Sequence, residues 1–290
     1  MKKTTLKGEK AMKYPNPVLL GYADPDILYE NGTYYFYATS YHVQHGYEVL
    51  TSTDLINWEN KGLCLEKAWD DRWYWAPDVK KIGDKYYMLA SVNEHLGICE
   101  ADSPLGPFIP REEPLFESSI DGHIFRDDDG QIYIYYVTWR KDHRYGLYVM
   151  KMTDGFQPVP ESEKPIIFAE EPWESNQAKV AEAPYMIKHN GLCYLTYSGS
   201  HYQSKYYAVG YAVAESPEGP FEKYSGNPIL VTDEKTEFGT GHHCITKDSD
   251  GNMLIVYHTH QDENNIHPRN ISIKHIAFRT TPDGDVLFCE

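Results

Sequence analysis

Apolar residues in this chain come in short bursts separated by turn residues. Ile27, Leu28 and Tyr29 form one burst, Asn31-Gly32 is a hairpin turn signal, and Tyr34 to Thr39 form a second burst rich in rings. The same unit recurs as NGTYYFYATS (31–40), GDKYYMLAS (83–91), DGQIYIYYV (129–137), NGLCYLTYS (190–198) and DGNMLIVYH (250–258). Each is a glycine turn followed by a tyrosine-rich or aliphatic strand. No stretch keeps an apolar helical rhythm for several turns, so long helices are not expected.

The turn glycines, Gly32, Gly83, Gly130, Gly191 and Gly251, recur at intervals of about 50 to 60 residues. Several short strands per unit at that period predict an all-β, five-bladed β-propeller. A second echo agrees: SPLGPF (103–108) and SPEGPF (216–221) follow the third strand of their units, with STDLINW (52–58) at the equivalent place in the first. A β-sandwich would explain the strand spacing but not this echo. The expected organisation is a single propeller over residues 16–290 behind an N-terminal arm, residues 1–15, partly disordered.

In a propeller the first strand of each blade lines the central channel. Eight or nine residues before each turn glycine stand Asp24, Trp75, Asp121, Glu182 and His242. Placed at one point of every first strand, they form a ring at one mouth of the channel.

Composition narrows the partners. The formal charge of −16 argues against nucleic acid or an anionic membrane, and no apolar run is long enough for a transmembrane helix. Twenty-five tyrosines and six tryptophans suit sheets and sugar-binding clefts. The start, MKKTTLKGEKAMKYPNP, has basic residues without an apolar core and does not read as a secretory signal. Five scattered cysteines without a CxxC read as reduced thiols. The expected compartment is the cytoplasm.

Taken singly, Asp24-Pro25 and Asp121-Gly122 are turn formers. Taken as a set, three carboxyl groups on one axis suit glycoside hydrolysis. One protonates the leaving oxygen, one activates water or attacks, and the third sets their ionisation. Trp75 is either a stacking face for a sugar ring or a packing residue.

At this level of detail the chain resembles glycoside hydrolase family 43 from about Asn16 to Phe288. NPVLLGYADPDI (16–27) resembles the family's opening motif, WAPDV (75–79) the second-blade motif, SIDGHIF (119–125) the third, AEAPYMIKHNG (181–191) the fourth and GTGHH (239–243) the fifth. The resemblance implies inversion in a single displacement, with Asp24 as general base, Glu182 as general acid and Asp121 as the residue that orients the acid and tunes it. It implies a calcium ion in the channel near His242, a sugar-binding role for Arg269, and Asp26 as a turn or strand-entry acid. The expected substrate is a plant-derived oligosaccharide, cut from its non-reducing end to release L-arabinofuranose or D-xylose. The alternatives are an endo-arabinanase on the same scaffold and a sugar-binding propeller without catalysis. Related retaining fructosidases are disfavoured because SIDGHIF fits their nucleophile and RDP motifs poorly.

Overall fold

The computed structural model describes residues 13–282 and 284–290. The proposed arm therefore lies outside the described residues up to Met12, while Tyr14 is buried between two blades. Five antiparallel sheets follow one another along the chain. Blade 1 comprises Tyr22–Glu30, Thr33–Ser40, Tyr47–Ser52 and Glu59–Leu65. Blade 2 comprises Tyr74–Ile82, Lys85–Val92, His95–Ala101 and Ile109–Pro110. Blade 3 comprises Ser119–Arg126, Ile132–Thr138, Gly146–Met152 and Lys164–Ile167. Blade 4 comprises Ala181–His189, Leu192–Gly199, Ala208–Ala214 and Glu222–Lys223. Blade 5 takes Gly241–Lys247, Met253–Thr259 and Asn270–Thr281 from the C-terminal part and Leu19–Leu20 from the N-terminal part; Gly284–Cys289 adds to its far end. The protein is a five-bladed β-propeller, and among the described residues its helical content is one short 3-10 turn, Pro172–Glu174.

The core lies between the blades rather than inside any one of them. Each of five apolar clusters is shared by two neighbouring sheets. A strand packed on both faces reads as a continuous apolar burst, which is why Ile132–Thr138 is buried at every position. Tyrosine suits these interfaces because its ring fills the gap and its hydroxyl finds a partner at the rim. Tyr37 donates to the carbonyl of Pro104 at 2.5 Å, and Tyr135 to that of Pro217 at 2.7 Å. The repeated SPxGPF segments are thus docking loops, each caught by a tyrosine of the preceding blade.

Every first strand carries a bulge at the same place, between Ala23 and Asp26, Trp75 and Asp78, Ile120 and His123, Glu182 and Tyr185, and Gly241 and His243. The bulged residues Asp24, Ala76, Asp121, Ala183 and His242 have φ of 53°, 43°, 55°, 53° and 38°. This corrects the expected ring. Asp24, Asp121 and His242 share one register, whereas Trp75 and Glu182 stand one residue earlier. Left-handed backbone at non-glycine residues costs about 1 kcal/mol or more each, and neighbouring blades hold it. The N–H of Ala76 donates to Thr39 Oγ1 at 2.9 Å, that of Asp121 to Ser91 Oγ at 3.0 Å, that of His242 to Ser198 Oγ at 2.8 Å, and that of Asp24 to His258 Nδ1 at 3.4 Å. In blade 3 the equivalent position is Val137, paired with Ile120, which has no polar group to offer Ala183. The carboxylate of Asp121 takes that place, accepting the Ala183 N–H at 3.1 Å.

A second polar ring lies below the first. Lys80 Nζ sits 3.2 Å from Asp26 Oδ1 and 3.0 Å from Asp78 Oδ1, and Asp78 Oδ1 is 2.8 Å from His123 Nδ1. Asp26 Oδ2 also accepts the Val79 N–H at 2.8 Å. Asp26, expected as a turn or strand-entry acid, is a buried structural partner of Lys80. Asp26→Ala is expected to lower unfolding stability by about 3 kcal/mol, because it strips a buried ammonium of one partner. Denaturant titration checks the loss, and activity per folded molecule should stay close to that of the parent.

Candidate active site

The ring opens into a cavity of about 800 Å³ lined by Asp24, Trp75, Asp121, Glu182, His242 and Arg269. All six expected site residues reach it, in three distinct settings.

Asp24 is buried and fully engaged. Arg269 grips it with Nη1 to Oδ1 at 2.9 Å and Nη2 to Oδ2 at 3.3 Å. Thr39 Oγ1 donates to Oδ2 at 2.7 Å, and the Nδ1 atoms of His258 and His242 lie 3.0 and 3.3 Å from Oδ1. Burial opposes ionisation, but Arg269, His242 and His258 outweigh it and hold the carboxyl well below its usual range. Arg269 thus has the carboxylate of Asp24, rather than an open cavity, as its first partner. Burial, and after it the charge of Arg269, pushes neighbouring His258 down to about 3 against the pull of Asp24, so this ring is neutral.

Glu182 meets a different environment. Tyr207 donates to Oε1 at 2.8 Å and Tyr145 to Oε2 at 3.2 Å. Burial pushes its pKa up to about 7, against the two tyrosine hydrogen bonds, with the charge of Asp24 adding to the rise. Asp121 is raised well above its usual range by burial and by Glu182 and Asp24. At mildly acid pH Glu182 is therefore protonated while Asp24 stays ionised beside the Arg269 guanidinium. Asp121 touches the segment of Glu182 through the Ala183 N–H, so it fixes the backbone from which Glu182 projects.

Aromatic rings form the remaining walls. Trp75 stacks on the half-exposed Trp73 with centroids 5.5 Å apart and planes at 12°, and Trp139 stacks on Tyr145 at 5.9 Å and 21°. Beside Asp24, loops from three blades meet. Tyr41 OH is 2.7 Å from His267 Nδ1, Arg269 Nε donates to Tyr41 OH at 3.0 Å, and the Arg269 guanidinium lies 5.0 Å over the Tyr202 ring. Sequence reasoning missed Thr39, Tyr145 and Tyr207. Thr39 had a signal, since the repeated strands end in ATS, LAS, TYS and VYH, but the two tyrosines were hidden among twenty-five.

The residues around His242 do not fit the expected calcium. Calcium takes roughly six to eight oxygen ligands. His242 Nδ1 instead faces Asp24 Oδ1 at 3.3 Å and Asp121 Oδ2 at 3.9 Å, and those carboxylates are committed to Arg269, Thr39 and Ala183. The channel cavity beneath has a volume of about 20 Å³, room for roughly one water, and the cation beside it is Lys80. Among the described residues no cluster of three or more His, Cys, Asp or Glu side chains is arranged to hold a metal. EDTA is accordingly expected to leave the melting temperature unchanged, and calorimetry with and without added calcium tests this.

The sequence profile of the glycosyl hydrolases family 43 matches residues 14–284. The chain belongs to this family. It is therefore a glycoside hydrolase, and family 43 enzymes invert the anomeric centre. A β-D-galactofuranosidase of Aspergillus niger is 29% identical over 283 residues, covering 88% of this chain and 78% of the relative. A xylosidase/arabinosidase of Bacteroides ovatus is 28% identical over 292 residues, covering 83% and 86%. Among solved structures, an endo-1,4-β-xylanase of Bacteroides thetaiotaomicron is 35% identical with a TM-score of 0.88, covering 94% of this chain and 95% of that one. In family 43 terms, the five blade motifs read from the sequence all lie on first strands or at their entrance.

Proposed function

We propose that the protein is an exo-acting pentosidase that releases L-arabinofuranose or D-xylose from the non-reducing ends of plant-derived oligosaccharides. Asp24 takes a proton from a water on one face of the terminal sugar, and that oxygen forms the new bond to the anomeric carbon. Glu182 gives its proton to the glycosidic oxygen as the old bond breaks. The opposite ionisation of these two acids supports the assignment, because a base must be charged and an acid protonated at the working pH. Asp121 holds the backbone of Glu182 in place through the Ala183 N–H. Trp75 offers an apolar face to the sugar ring.

The observation that carries the exo reading is the wall of Tyr41, His267, Tyr202 and Arg269 that stands beside Asp24 at one side of the cavity. The furanosidase and xylosidase/arabinosidase relatives support a pentose or pentose-like terminal sugar; D-galactofuranose and L-arabinofuranose share their ring stereochemistry. An endo-acting reading has two observations in its favour: the cavity of about 800 Å³ is larger than one pentose, and one similar structure is an endo-xylanase. Product analysis on linear arabinan and xylan oligosaccharides, beside a panel of 4-nitrophenyl pentosides and fructosides, separates them. Free pentose as the first product is expected. Internal fragments at early times would sink the exo assignment, and turnover of fructosides alone would sink the pentosidase one.

The rate should have a bell-shaped pH dependence displaced toward acid. Glu182 works only while protonated, so kcat/KM should fall as pH rises through about 7. Asp24 works only while ionised, so the acid limb should lie below the usual carboxylate range. A pH profile on an alkyl-linked oligosaccharide checks both limbs.

A further inference from the structure

Outside the cavity, blade 3 contains a cluster of polar groups that the chemistry above does not use. Residues 139–145 link Ile132–Thr138 to Gly146–Met152 and carry two cavity rings, Trp139 at one end and Tyr145 at the other. Between them, Arg140 and His143 turn away from the cavity toward Glu163. Arg140 Nη2 and Tyr136 OH both bond Glu163 Oε1, and His143 Nε2 lies 3.0 Å from Glu163 Oε2. Arg140 also caps the Phe116 ring at 5.6 Å, and Phe116 stacks on Tyr136 at 4.5 Å. All four groups are at least partly buried. A carboxylate held by three donors from one strand and its following loop fixes that loop more tightly than the backbone alone, whose bonds here are the His143 N–H to Arg140 carbonyl and the Trp139 N–H to Ser118 carbonyl.

We propose that Glu163 is a positioning residue for the acid and for the leaving-group wall: by clamping Arg140 and His143 it fixes the 139–145 loop, so that Tyr145 holds Glu182 and Trp139 faces the departing sugar. The inference rests on the assignment of Glu182 as general acid. It assigns the Trp139–Tyr145 wall to the leaving group because Tyr145 touches the carboxyl that must reach the glycosidic oxygen, while Asp24 and its wall face the other side.

Two readouts distinguish this role from a plain ion pair. The groups facing Glu182 are Tyr145, Tyr207, Asp24, Arg269 and Asp121. Of these only Tyr145 is carried by the clamped loop, and its hydrogen bond favours the ionised form of Glu182. Loosening the clamp should therefore move the basic limb of kcat/KM to higher pH, as Tyr145→Phe should do directly. It should also lower kcat/KM on a pentose trisaccharide by about tenfold, a modest share of what a misplaced catalytic contact costs. The experiment compares Glu163→Gln and Tyr145→Phe with the parent enzyme, and reads Arg140→Lys in the same way should Glu163→Gln not fold. A limb displaced in both the clamp variant and Tyr145→Phe, with the loss on the trisaccharide, supports the proposal. A limb displaced in Tyr145→Phe alone, with the clamp variant changing only melting temperature, overturns it and leaves the acid assignment standing. A limb displaced in neither overturns the proposal together with the role of Tyr145 at the acid. Failure of the acid assignment itself would show separately, as equal loss on good and poor leaving groups in Glu182→Ala.

Discussion

Replacing Asp24 by asparagine is expected to cost about 10²–10⁴-fold in kcat on every substrate, because each needs the same activated water. The loss should be independent of the leaving group, which marks a base. A second effect follows from the partners of this carboxylate. Asparagine keeps the shape but not the charge, so the buried guanidinium of Arg269 is left without its counter-ion. Breaking such a pair costs about 3–5 kcal/mol, and Asp24→Asn should melt earlier as well as react more slowly. Steady-state kinetics on an aryl pentoside and an oligosaccharide, beside thermal unfolding, read both. If the variant is stable and active, Asp24 is neither base nor anchor. The stereochemistry constrains the assignment further. Proton NMR of the first-formed sugar should show the anomer opposite to the substrate's, and a first product of unchanged configuration would make Asp24 a nucleophile instead.

Glu182→Ala should separate its substrates sharply. An alkyl-linked oligosaccharide must be protonated to leave, and its hydrolysis should fall by about 10²–10⁴-fold. A 4-nitrophenyl pentoside leaves as a stable phenolate, and it should keep on the order of a tenth of the parent rate. The basic limb should also disappear from the aryl profile, since the group that titrates near 7 is gone. Equal losses on both substrates would remove Glu182 from the role of acid. Near-parent rates on the oligosaccharide would remove it from the mechanism.

The blades were legible because each is a local statement, a glycine turn followed by a burst packed on both faces, with a docking loop repeated in blades 2 and 4. The ring at the mouth was legible only to within one residue. The bulged positions are filled by Asp24, Ala76, Asp121, Ala183 and His242, and no residue type common to them advertises a left-handed backbone. Counting back from a glycine therefore mixed Trp75 and Glu182 with a register they do not share. Partners that arrive from distant segments were the least legible. Nothing near Asp24 in sequence announces Arg269, and nothing near Glu182 announces Tyr207 or Tyr145. How well a calcium ion would fit was equally hard to read. A histidine at the mouth suggests a ligand until the surrounding acids are seen to be occupied by a guanidinium, a threonine and a backbone N–H. The occupant of Asp26 was hidden in the same way, since Lys80 lies a blade away.

The closure of blade 5 by Leu19–Leu20 has a consequence for the protein's biosynthesis. Gly21, next to this strand, donates its N–H to the carbonyl of Arg269 at 3.1 Å, so the seam of the ring runs beside Asp24. During translation Asp24 leaves the ribosome 245 residues ahead of Arg269. At about 5–20 residues per second, the nascent chain spends many seconds with the flank of blade 1 uncovered and a carboxyl awaiting its counter-charge. The catalytic ionisation pattern is thus absent until the final blade docks. A chain that lacks blade 5 lacks the Arg269 partner of Asp24 and is expected to be inactive.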